Sequence, residues 1–191
     1  MTVAIDRLFV DENDREVRTG EVGEILVRGP NVMKGYLNRP EATKEVLKDG
    51  WLRTGDLARV DESGFAFIEA RKKNVIMKGG FSVYPKEVER FLTGFPKIEE
   101  AVVVGNEDKI HGEDIHAFVV LKENEQATEE EILTYLKERI ANYKCPKEIH
   151  FVSLLPRDVT GRIQRDKIKK QYLNKDENAE QNKSINKGGS W

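Results

Sequence analysis

Short runs of alternating apolar and polar residues, separated by glycine-rich turns, make up the first part of the chain. Residues 2–10 and residues 24–28 are two such runs. Because an alternation with period two is typical of a half-buried β-strand, both are predicted to be strands. Pro40 opens a helical pattern over residues 40–47, since proline is favoured in the first turn of a helix. Residues 1–70 are therefore predicted to be a mostly β unit, either a small antiparallel sheet or a partial barrel.

Strand and helix patterns alternate in the second part of the chain. A helix is predicted to begin at Pro85 and to end near Gly94. Residues 98–104 and 115–121 are apolar and rich in β-branched side chains, which favours two strands. The polar residues 106–114 between them are predicted to be a loop.

The strongest local signal is a capping box at the start of a helix. Thr128 stands three residues before Glu131, and an apolar stripe at helical spacing follows. A helix over residues 129–141 is therefore predicted. Residues 148–152 favour a third strand, and residues 167–173 favour a last helix.

These patterns together predict an α+β protein. After the β-rich unit of residues 1–70, residues 71–173 are expected to form a domain in which helices pack on a small sheet of about three strands. Residues 174–191 are polar and contain almost no apolar side chains. They are expected to be a disordered tail or an artificial extension.

A stretch at the junction of the two units, residues 51–89, combines features that can carry chemistry. Its pattern predicts a loop, a turn and a strand, with Asp56 on the first turn. A carboxylate on a tight turn can accept hydrogen bonds from two neighbouring hydroxyl groups, such as the diol of a ribose. The same carboxylate could instead cap its own turn through a local hydrogen bond, and spacing alone favours this second interpretation.

Two further groups in this stretch leave a similar choice open. Arg71, followed by Lys72 and Lys73, could bind a sugar or a phosphate, although adjacent basic residues between strands more often form a solvated turn. Gly79 and Gly80 permit positive φ angles and close approach of a ligand, but a glycine pair is first of all a turn.

Composition argues against several classes of protein. The chain has 191 residues, 35% of them charged, and a formal net charge of -2, so no basic surface for nucleic acid is expected. Its longest apolar runs are too short to span a membrane, and no secretory leader is recognisable at the start of the sequence. A cytoplasmic location is therefore expected.

Cysteine and histidine usage indicates neither a disulfide nor a metal site. Cys145 is the only cysteine, and it is interpreted as a packed loop residue, with a nucleophile as a minor alternative. His111, His116 and His150 lack the i, i+4 spacing of a helical metal pair, so no metal-binding role is predicted for them.

Three segments resemble the adenylate-forming enzymes, the superfamily of acyl-CoA synthetases, luciferases and peptide-synthetase adenylation domains. The segments read GEVGEILVRGPNVMKGYLNRPEAT, TGDLARVDESGFAFIEARKKNVIMKGGFSVYPKEVE and LPRDVTGRIQR. The resemblance extends over residues 3–173 and is greatest to the acyl-CoA synthetases. It implies that residues 1–70 are the last subdomain of a large N-terminal domain and that residues 71–173 are the C-terminal lid.

The resemblance also implies a reaction in two halves that share one site. A carboxylic acid, expected to be a fatty acid, reacts with ATP to give an acyl-adenylate and pyrophosphate, and the thiol of coenzyme A then displaces AMP. Asp56 and Arg71 would bind the ribose hydroxyls of the nucleotide, and Lys73 would be the hinge. Gly79 and Gly80 would line the channel for coenzyme A.

One departure from the family pattern concerns Arg162, which stands where the family carries a lysine. In the family that lysine bridges the carboxylate of the acid and the α-phosphate during adenylation. Arginine keeps the charge but is a wider planar group, and losing one such electrostatic contact costs about 2.7 to 4 kcal/mol, or about 100- to 1,000-fold in rate. Slow adenylation is therefore expected, with the thioester half less affected.

Two motifs that hold ATP and magnesium in the family do not occur in this sequence. They are a phosphate loop rich in Ser, Thr and Gly and an aromatic-Gly-x-Thr-Glu motif. The chain by itself is therefore expected to be inactive, with Mg²⁺ bound only through an N-terminal domain that is missing here. An alternative from a different class stays open, namely a standalone lid that binds a nucleotide or a neighbouring protein without catalysis.

Overall fold

A computed structural model describes residues 5–173 of the chain. The chain divides into two compact units, with the boundary between Val75 and Ile76. Each unit has its own sheet and its own buried residues. The predicted tail, residues 174–191, lies outside the described residues.

The first unit is built on a five-stranded antiparallel sheet, in agreement with the alternating pattern. Its strands are β1 (Asp6–Val10), β2 (Val22–Arg28), β3 (Leu47–Lys48), β4 (Trp51–Val60) and β5 (Ala66–Arg71). They lie in the order β1-β2-β4-β3, and β5 also pairs with β4. The predicted helix at Pro40 is α1 (Pro40–Val46), with the proline in its first turn. Strand β4 thus pairs with three neighbours and holds the unit together.

Strand β4 corrects one expectation from the sequence. The sequence predicts a loop and a turn around Asp56, whereas the structure places Asp56 inside β4. The register between β4 and β2 shifts at residues 54–56, so these residues form a bulge in the strand. A glycine gives the same sequence signal in a bulge as in a turn, which explains the wrong assignment.

The buried core of the first unit is small. Its buried apolar residues are Phe9, Val10, Leu26, Ala58 and Ala70. Several large apolar side chains of this unit are instead exposed, among them Leu37 at 88% and Phe65 at 68%. The unit therefore gains little hydrophobic stabilisation from its own residues.

The second unit is built on a five-stranded sheet with helices on both faces. Its strands are β6 (Ile76–Lys78), β7 (Phe81–Val83), β8 (Ile98–Asp108), β9 (Gly112–Leu121) and β10 (Glu148–Phe151). Strand β9 pairs antiparallel with β8 and β6 and parallel with β10. The helices are α2 (Pro85–Thr93), α3 (Glu129–Lys137) and α4 (Arg165–Ile168), and a π-helical turn (Lys169–Leu173) follows α4. The predicted α+β class is confirmed.

The sheet of the second unit has more strands than predicted. The additional strands β6 and β7 are three residues long, too short for a periodic pattern, and they flank the Gly79-Gly80 pair. The predicted loop over residues 106–114 is also largely wrong, because β8 continues to Asp108 and β9 begins at Gly112. Polar side chains at exposed strand ends give no apolar signal, so only backbone pairing shows that these residues are strand.

The capping box at the start of α3 is confirmed. The Glu131 backbone N–H donates to the Thr128 hydroxyl at 3.2 Å, and the Thr128 N–H donates to the Glu131 carboxylate at 3.0 Å. The helix ends at Lys137, before the predicted end at residue 141. Ile140 still packs against the core from the turn that follows, which is why the apolar spacing continues beyond the helix. Among the helices of residues 5–173, none is long and apolar enough to cross a membrane.

Alternate residues of β9 face two separate clusters of buried side chains. Ile115, Ala117 and Val119 belong to the cluster that includes residues of α2 and α3, whereas Phe118 belongs to the cluster at α4. A strand that is buried on both faces reads as a nearly continuous apolar run, and residues 115–121 do so except at His116. Cys145 is buried in the first cluster, as predicted for a packed residue, and burial raises the pKa of its thiol.

A side chain of α2 covers the edge of β8 that faces away from β9. The Val103 N–H donates to the Glu89 carboxylate at 2.9 Å, and Arg165 of α4 donates to the same oxygen at 2.5 Å. Because β8 pairs with β9 alone among the described strands, Glu89 occupies the place of a neighbouring strand at this point.

Candidate functional site

Asp56 and Arg71 lie directly opposite each other on β4 and β5. The Arg71 guanidinium donates to the Asp56 carboxylate, with 3.0 Å between the two atoms. Both side chains reach solvent, since 32% of Asp56 and 53% of Arg71 is exposed. The structure therefore brings together the two residues that the resemblance assigns to the ribose.

The bulge in β4 positions Asp56. Gly55 has a φ of +71°, a conformation that favours glycine. The Thr54 hydroxyl donates to the Ile25 carbonyl at 2.8 Å and accepts the Asp56 backbone N–H at 3.1 Å. The local cap is thus the side chain of Thr54, and the alternative in which the Asp56 carboxylate caps its own turn is wrong.

The ion pair keeps hydrogen-bonding capacity for a ligand. One oxygen of Asp56 accepts from Arg71, which leaves lone pairs of the carboxylate for two hydroxyl groups. The guanidinium has further N–H groups that can bind an oxygen anion. The pair therefore fits a vicinal diol or a phosphate on its exposed side, and its role with a ribose stays a prediction.

Lys73 lies in a 3₁₀ turn, Lys72–Asn74, shortly before the boundary between the two units. The neighbouring ammonium group of Lys72 donates to Glu24 at 3.0 Å, and Glu24 also accepts from Arg53 at 2.9 Å. Glu24 is buried, so these ion pairs fix the start of the turn. Lys73 itself is exposed and forms no ion pair with residues 5–173. Its role as a hinge stays a prediction.

Gly79 and Gly80 are the two central residues of the hairpin between β6 and β7. Their φ angles of +57° and +84° are those of a type I′ turn, which requires positive φ at both positions. The Gly79 N–H donates to the His111 carbonyl at 2.8 Å, and a Cβ added at Gly80 would meet no atom within 4 Å. The turn alone explains the glycine pair, and the coenzyme A channel stays a prediction.

Arg162 lies in a tight loop that Asp158 organises. The Asp158 carboxylate accepts from the Thr160 N–H at 2.8 Å, the Thr160 hydroxyl at 2.6 Å and the Arg162 N–H at 3.0 Å. The Thr160 hydroxyl is the largest cause that lowers the pKa of Asp158. The Arg162 side chain is exposed and forms no ion pair within the described part of the chain, so its charge is open to an anionic ligand.

Comparison with known protein families identifies the second unit. Residues 87–162 match the family model of the AMP-binding enzyme C-terminal domain. The chain carries an AMP-binding C-terminal domain. This match covers most of the helices and strands of the second unit and includes Arg162 at its last position.

Curated relatives extend the similarity beyond the AMP-binding C-terminal domain itself. A long-chain-fatty-acid–CoA ligase of Bacillus subtilis (strain 168) is 45% identical over 161 residues, which are 84% of this chain and 29% of that protein. A long-chain-fatty-acid–CoA ligase of Escherichia coli O157:H7 is 42% identical over 170 residues, which are 89% of this chain and 30% of that protein. The chain thus spans less than a third of the length of these relatives.

Two solved structures share the fold of this chain over about a third of their own length. ATP-bound MatB from Rhodopseudomonas palustris has a TM-score of 0.84 and 37% identity, over 90% of this chain and 34% of that one. The o-succinylbenzoate CoA synthetase from Bacillus subtilis, in complex with its acyl-adenylate intermediate, has a TM-score of 0.79 and 38% identity, over 86% of this chain and 34% of that one. The predicted resemblance to the adenylate-forming enzymes of acyl-CoA ligase type is confirmed.

The fold of the AMP-binding C-terminal domain also assembles a group of side chains that the sequence did not reveal. The group consists of His116, Glu148 and His150, whose potential metal-binding atoms all lie within 4.8 Å of one another. They come together because the parallel pairing of β9 and β10 places Glu148 opposite His116. Burial lowers the pKa of His116. Long separation along the chain hides such a group, and only the register of the two strands could have predicted it.

A second group surrounds the turn between β8 and β9. It consists of Asp108, His111 and Asp114. Lys78 lies 2.7 Å from Asp114 and Lys147 lies 3.1 Å from Asp108, so lysines already neutralise these carboxylates. The backbone N–H of His111 is the largest cause that lowers the pKa of Asp108. This group is therefore a network of ion pairs.

Proposed function

We propose that this chain is the C-terminal part of an ATP-dependent, AMP-forming acyl-CoA synthetase. The observation that carries the proposal is the identity of 45% and 42% with two long-chain-fatty-acid–CoA ligases over most of the chain. The parent enzyme joins a carboxylic acid to AMP from ATP, releases pyrophosphate, and then transfers the acyl group to coenzyme A. The same relatives support a fatty acid as the acid.

The first unit contributes the contacts to the nucleotide in this proposal. Asp56 accepts hydrogen bonds from the ribose hydroxyls through the lone pairs that Arg71 leaves open. Arg71 holds the carboxylate in position through its hydrogen bond. The exposure of both side chains supports this assignment, because a ligand can reach them without any rearrangement of the sheet.

The second unit contributes Arg162 and the glycine hairpin. Arg162 places a positive charge between the carboxylate of the acid and the α-phosphate, where negative charge is most crowded during adenylation. Its planar guanidinium is wider than an ammonium group, so adenylation is slow while thioester formation is less affected. Gly79 and Gly80 leave room for the thiol arm of coenzyme A, and Lys73 is the hinge between the two half-reactions.

The chain by itself does not activate an acid in this proposal. It spans less than a third of the length of its relatives. We assign the binding of the phosphates and Mg²⁺ to the N-terminal part of the parent enzyme. Without backbone donors for the triphosphate, the α-phosphate cannot be aligned for attack.

A fusion protein tests the proposal. The N-terminal part of the Bacillus subtilis ligase is joined to this chain in place of its own C-terminal part, and pyrophosphate release is measured with a fatty acid, ATP and Mg²⁺. We expect release from the fusion and none from the chain alone. Arg162→Lys should accelerate release by up to about 100- to 1,000-fold. Lys167→Arg, on the exposed side of α4, is the matched control and should leave the rate unchanged.

A non-catalytic binding module is the second candidate, and arginine at position 162 favours it. In that case the chain alone binds AMP in a calorimetric titration, and the fusion releases no pyrophosphate with either arginine or lysine at this position. Those two results together would contradict the synthetase proposal and support the non-catalytic binding module.

A further inference from the structure

Three side chains with metal-binding atoms meet where β9 and β10 lie side by side. The parallel register places Glu148 opposite His116, and His150 follows on the same face because side chains alternate along a strand. His116 Nδ1 and His150 Nε2 are 3.2 Å apart. A carboxylate oxygen of Glu148 lies 4.0 Å from the first nitrogen and 3.7 Å from the second.

These separations are close to those of a tetrahedral zinc site. Zn²⁺ binds imidazole nitrogens and carboxylate oxygens at about 2.0 to 2.2 Å, so ligand atoms on the tetrahedron lie about 3.3 to 3.6 Å apart. The two nitrogens are already at nearly this separation. The carboxylate has to approach by a few tenths of an ångström, which the half-exposed side chain of Glu148 can do.

The two imidazole rings are held in place by stacking. The His150 ring lies 4.5 Å from the Phe118 ring, with an angle of 14° between the planes. The His116 ring is nearly parallel to it at 5.5 Å. Phe118 is fully buried, so the core fixes one side of this stack. Side chains that are locked by packing are the better metal ligands, because little freedom is lost on binding.

A direct hydrogen bond between two neutral imidazoles is the simplest alternative. Such a bond uses one ring N–H and one lone pair, and it explains the 3.2 Å contact between the rings. It does not explain why a carboxylate lies within 4.0 Å of the same two nitrogens. Two histidines, one carboxylate and an open position are the ligand set of many zinc sites.

We propose that His116, Glu148 and His150 bind a divalent ion of the Zn²⁺ class, with water as the remaining ligand. The ion cross-links β9 and β10, and the chain continues from β10 to the loop that carries Arg162. Binding therefore stabilises the sheet next to that loop. The site is independent of the proposed acyl-CoA synthetase activity, because none of its three residues has a role in that activity.

Calorimetric titration of the full chain with Zn²⁺ tests the proposal. The protein is prepared without a polyhistidine tag and freed of metal with a chelator. We expect one equivalent to bind, and we expect His150→Asn and Glu148→Gln each to weaken binding at least about 10-fold. Titration with Co²⁺ gives a second readout, because tetrahedral Co²⁺ absorbs strongly in the visible range. His111→Asn is the matched control and should bind Zn²⁺ as the unchanged protein does.

Three results would overturn the proposal. They are no uptake of Zn²⁺, equal affinity of the unchanged protein and His150→Asn, and loss of binding in His111→Asn. Circular dichroism checks that each variant is folded. Glu148→Gln and His150→Asn decide the outcome even where a variant of the buried His116 fails to fold, because both side chains are partly exposed.

Discussion

The carboxylate of Asp56 accepts a hydrogen bond from Arg71 and is 32% exposed, so a ligand can reach its remaining lone pairs. If these lone pairs bind the ribose, Asp56→Ala in the fusion enzyme should raise the KM for ATP about 10- to 100-fold. The reason is that hydrogen bonds to a charged group contribute about 1.5 to 3 kcal/mol. Steady-state kinetics at saturating fatty acid and coenzyme A measure the change.

Glu69 provides the control for this variant. It pairs with Arg59 at 3.4 Å on the same two strands but carries no predicted role. Since such pairs contribute about 1 kcal/mol or less to stability, Glu69→Gln should leave the KM for ATP almost unchanged. Equal KM values for Asp56→Ala and the unchanged fusion would remove Asp56 from the nucleotide site.

A second residue-scale prediction concerns the loop of Arg162. The pKa of Asp158 lies below its ordinary value of 3.8, chiefly because the Thr160 hydroxyl donates to it. The carboxylate therefore stabilises the fold above pH 3.8, and this contribution is lost as the pH falls further, through the lowered pKa. Thr160→Ala should move the pKa of Asp158 back towards 3.8, as measured by NMR titration of its carboxyl carbon.

The matched substitution for this experiment is Thr93→Ala in α2. The Thr93 hydroxyl donates to the Glu89 backbone carbonyl at 3.0 Å and has no hydrogen bond to a carboxylate of residues 5–173. Thr93→Ala should leave the Asp158 titration unchanged. A pKa of Asp158 that stays the same in Thr160→Ala would mean that the backbone N–H groups alone organise the loop.

At the scale of elements, the capping box of α3 gives a quantitative prediction. Thr128→Ala removes the hydroxyl that accepts the Glu131 N–H, and loss of such a cap costs about 1 kcal/mol of the free energy of unfolding. Urea unfolding followed by circular dichroism measures it. Thr134→Ala lies in the exposed middle of the same helix and should not destabilise, because alanine is the better helix former. Equal effects of the two substitutions would contradict the assignment.

Helices whose first residues carry a capping side chain or a proline could be predicted from the sequence. Short strands and bulges, which are defined only by backbone pairing, could not. The start of α3 at Thr128 and the proline starts of α1 and α2 were predicted because capping and proline are local. Strands β6 and β7 were missed because three residues contain no period. The bulge around Asp56 was assigned as a turn because a glycine marks both.

The residues of the candidate site could likewise be named from the sequence, whereas their contacts across strands could not. Asp56, Arg71 and Arg162 were named from the resemblance, and the structure adds that the first two form an ion pair across β4 and β5. The grouping of His116 with His150 depends on a parallel register between distant strands, which no local pattern contains. Predicting it would require knowledge of the sheet topology.

At the scale of the whole molecule, the two units differ in how much apolar surface they bury. The second unit has buried clusters on both faces of its sheet, whereas the first unit buries few large side chains. We therefore expect residues 76–173 to fold when expressed alone, with NMR amide shifts in β8 and β9 like those of the full chain. Residues 5–75 expressed alone should unfold at lower urea. An unfolded spectrum for residues 76–173 would contradict this expectation.

The contact between Glu89 and Val103 has a consequence for solubility. The segment around Val103 is β-branched, apolar and free of proline, which is the composition of sequences that stack into fibrils. With its N–H bound by Glu89, Val103 has no free backbone donor for a strand from another molecule. Glu89→Ala should shorten the lag before thioflavin-positive aggregates form. The control is Glu87→Ala on the same helix, which breaks the 2.6 Å pair of Glu87 with Lys144 and should leave the lag unchanged. One carboxylate would thus separate a soluble domain from an amyloid-forming one.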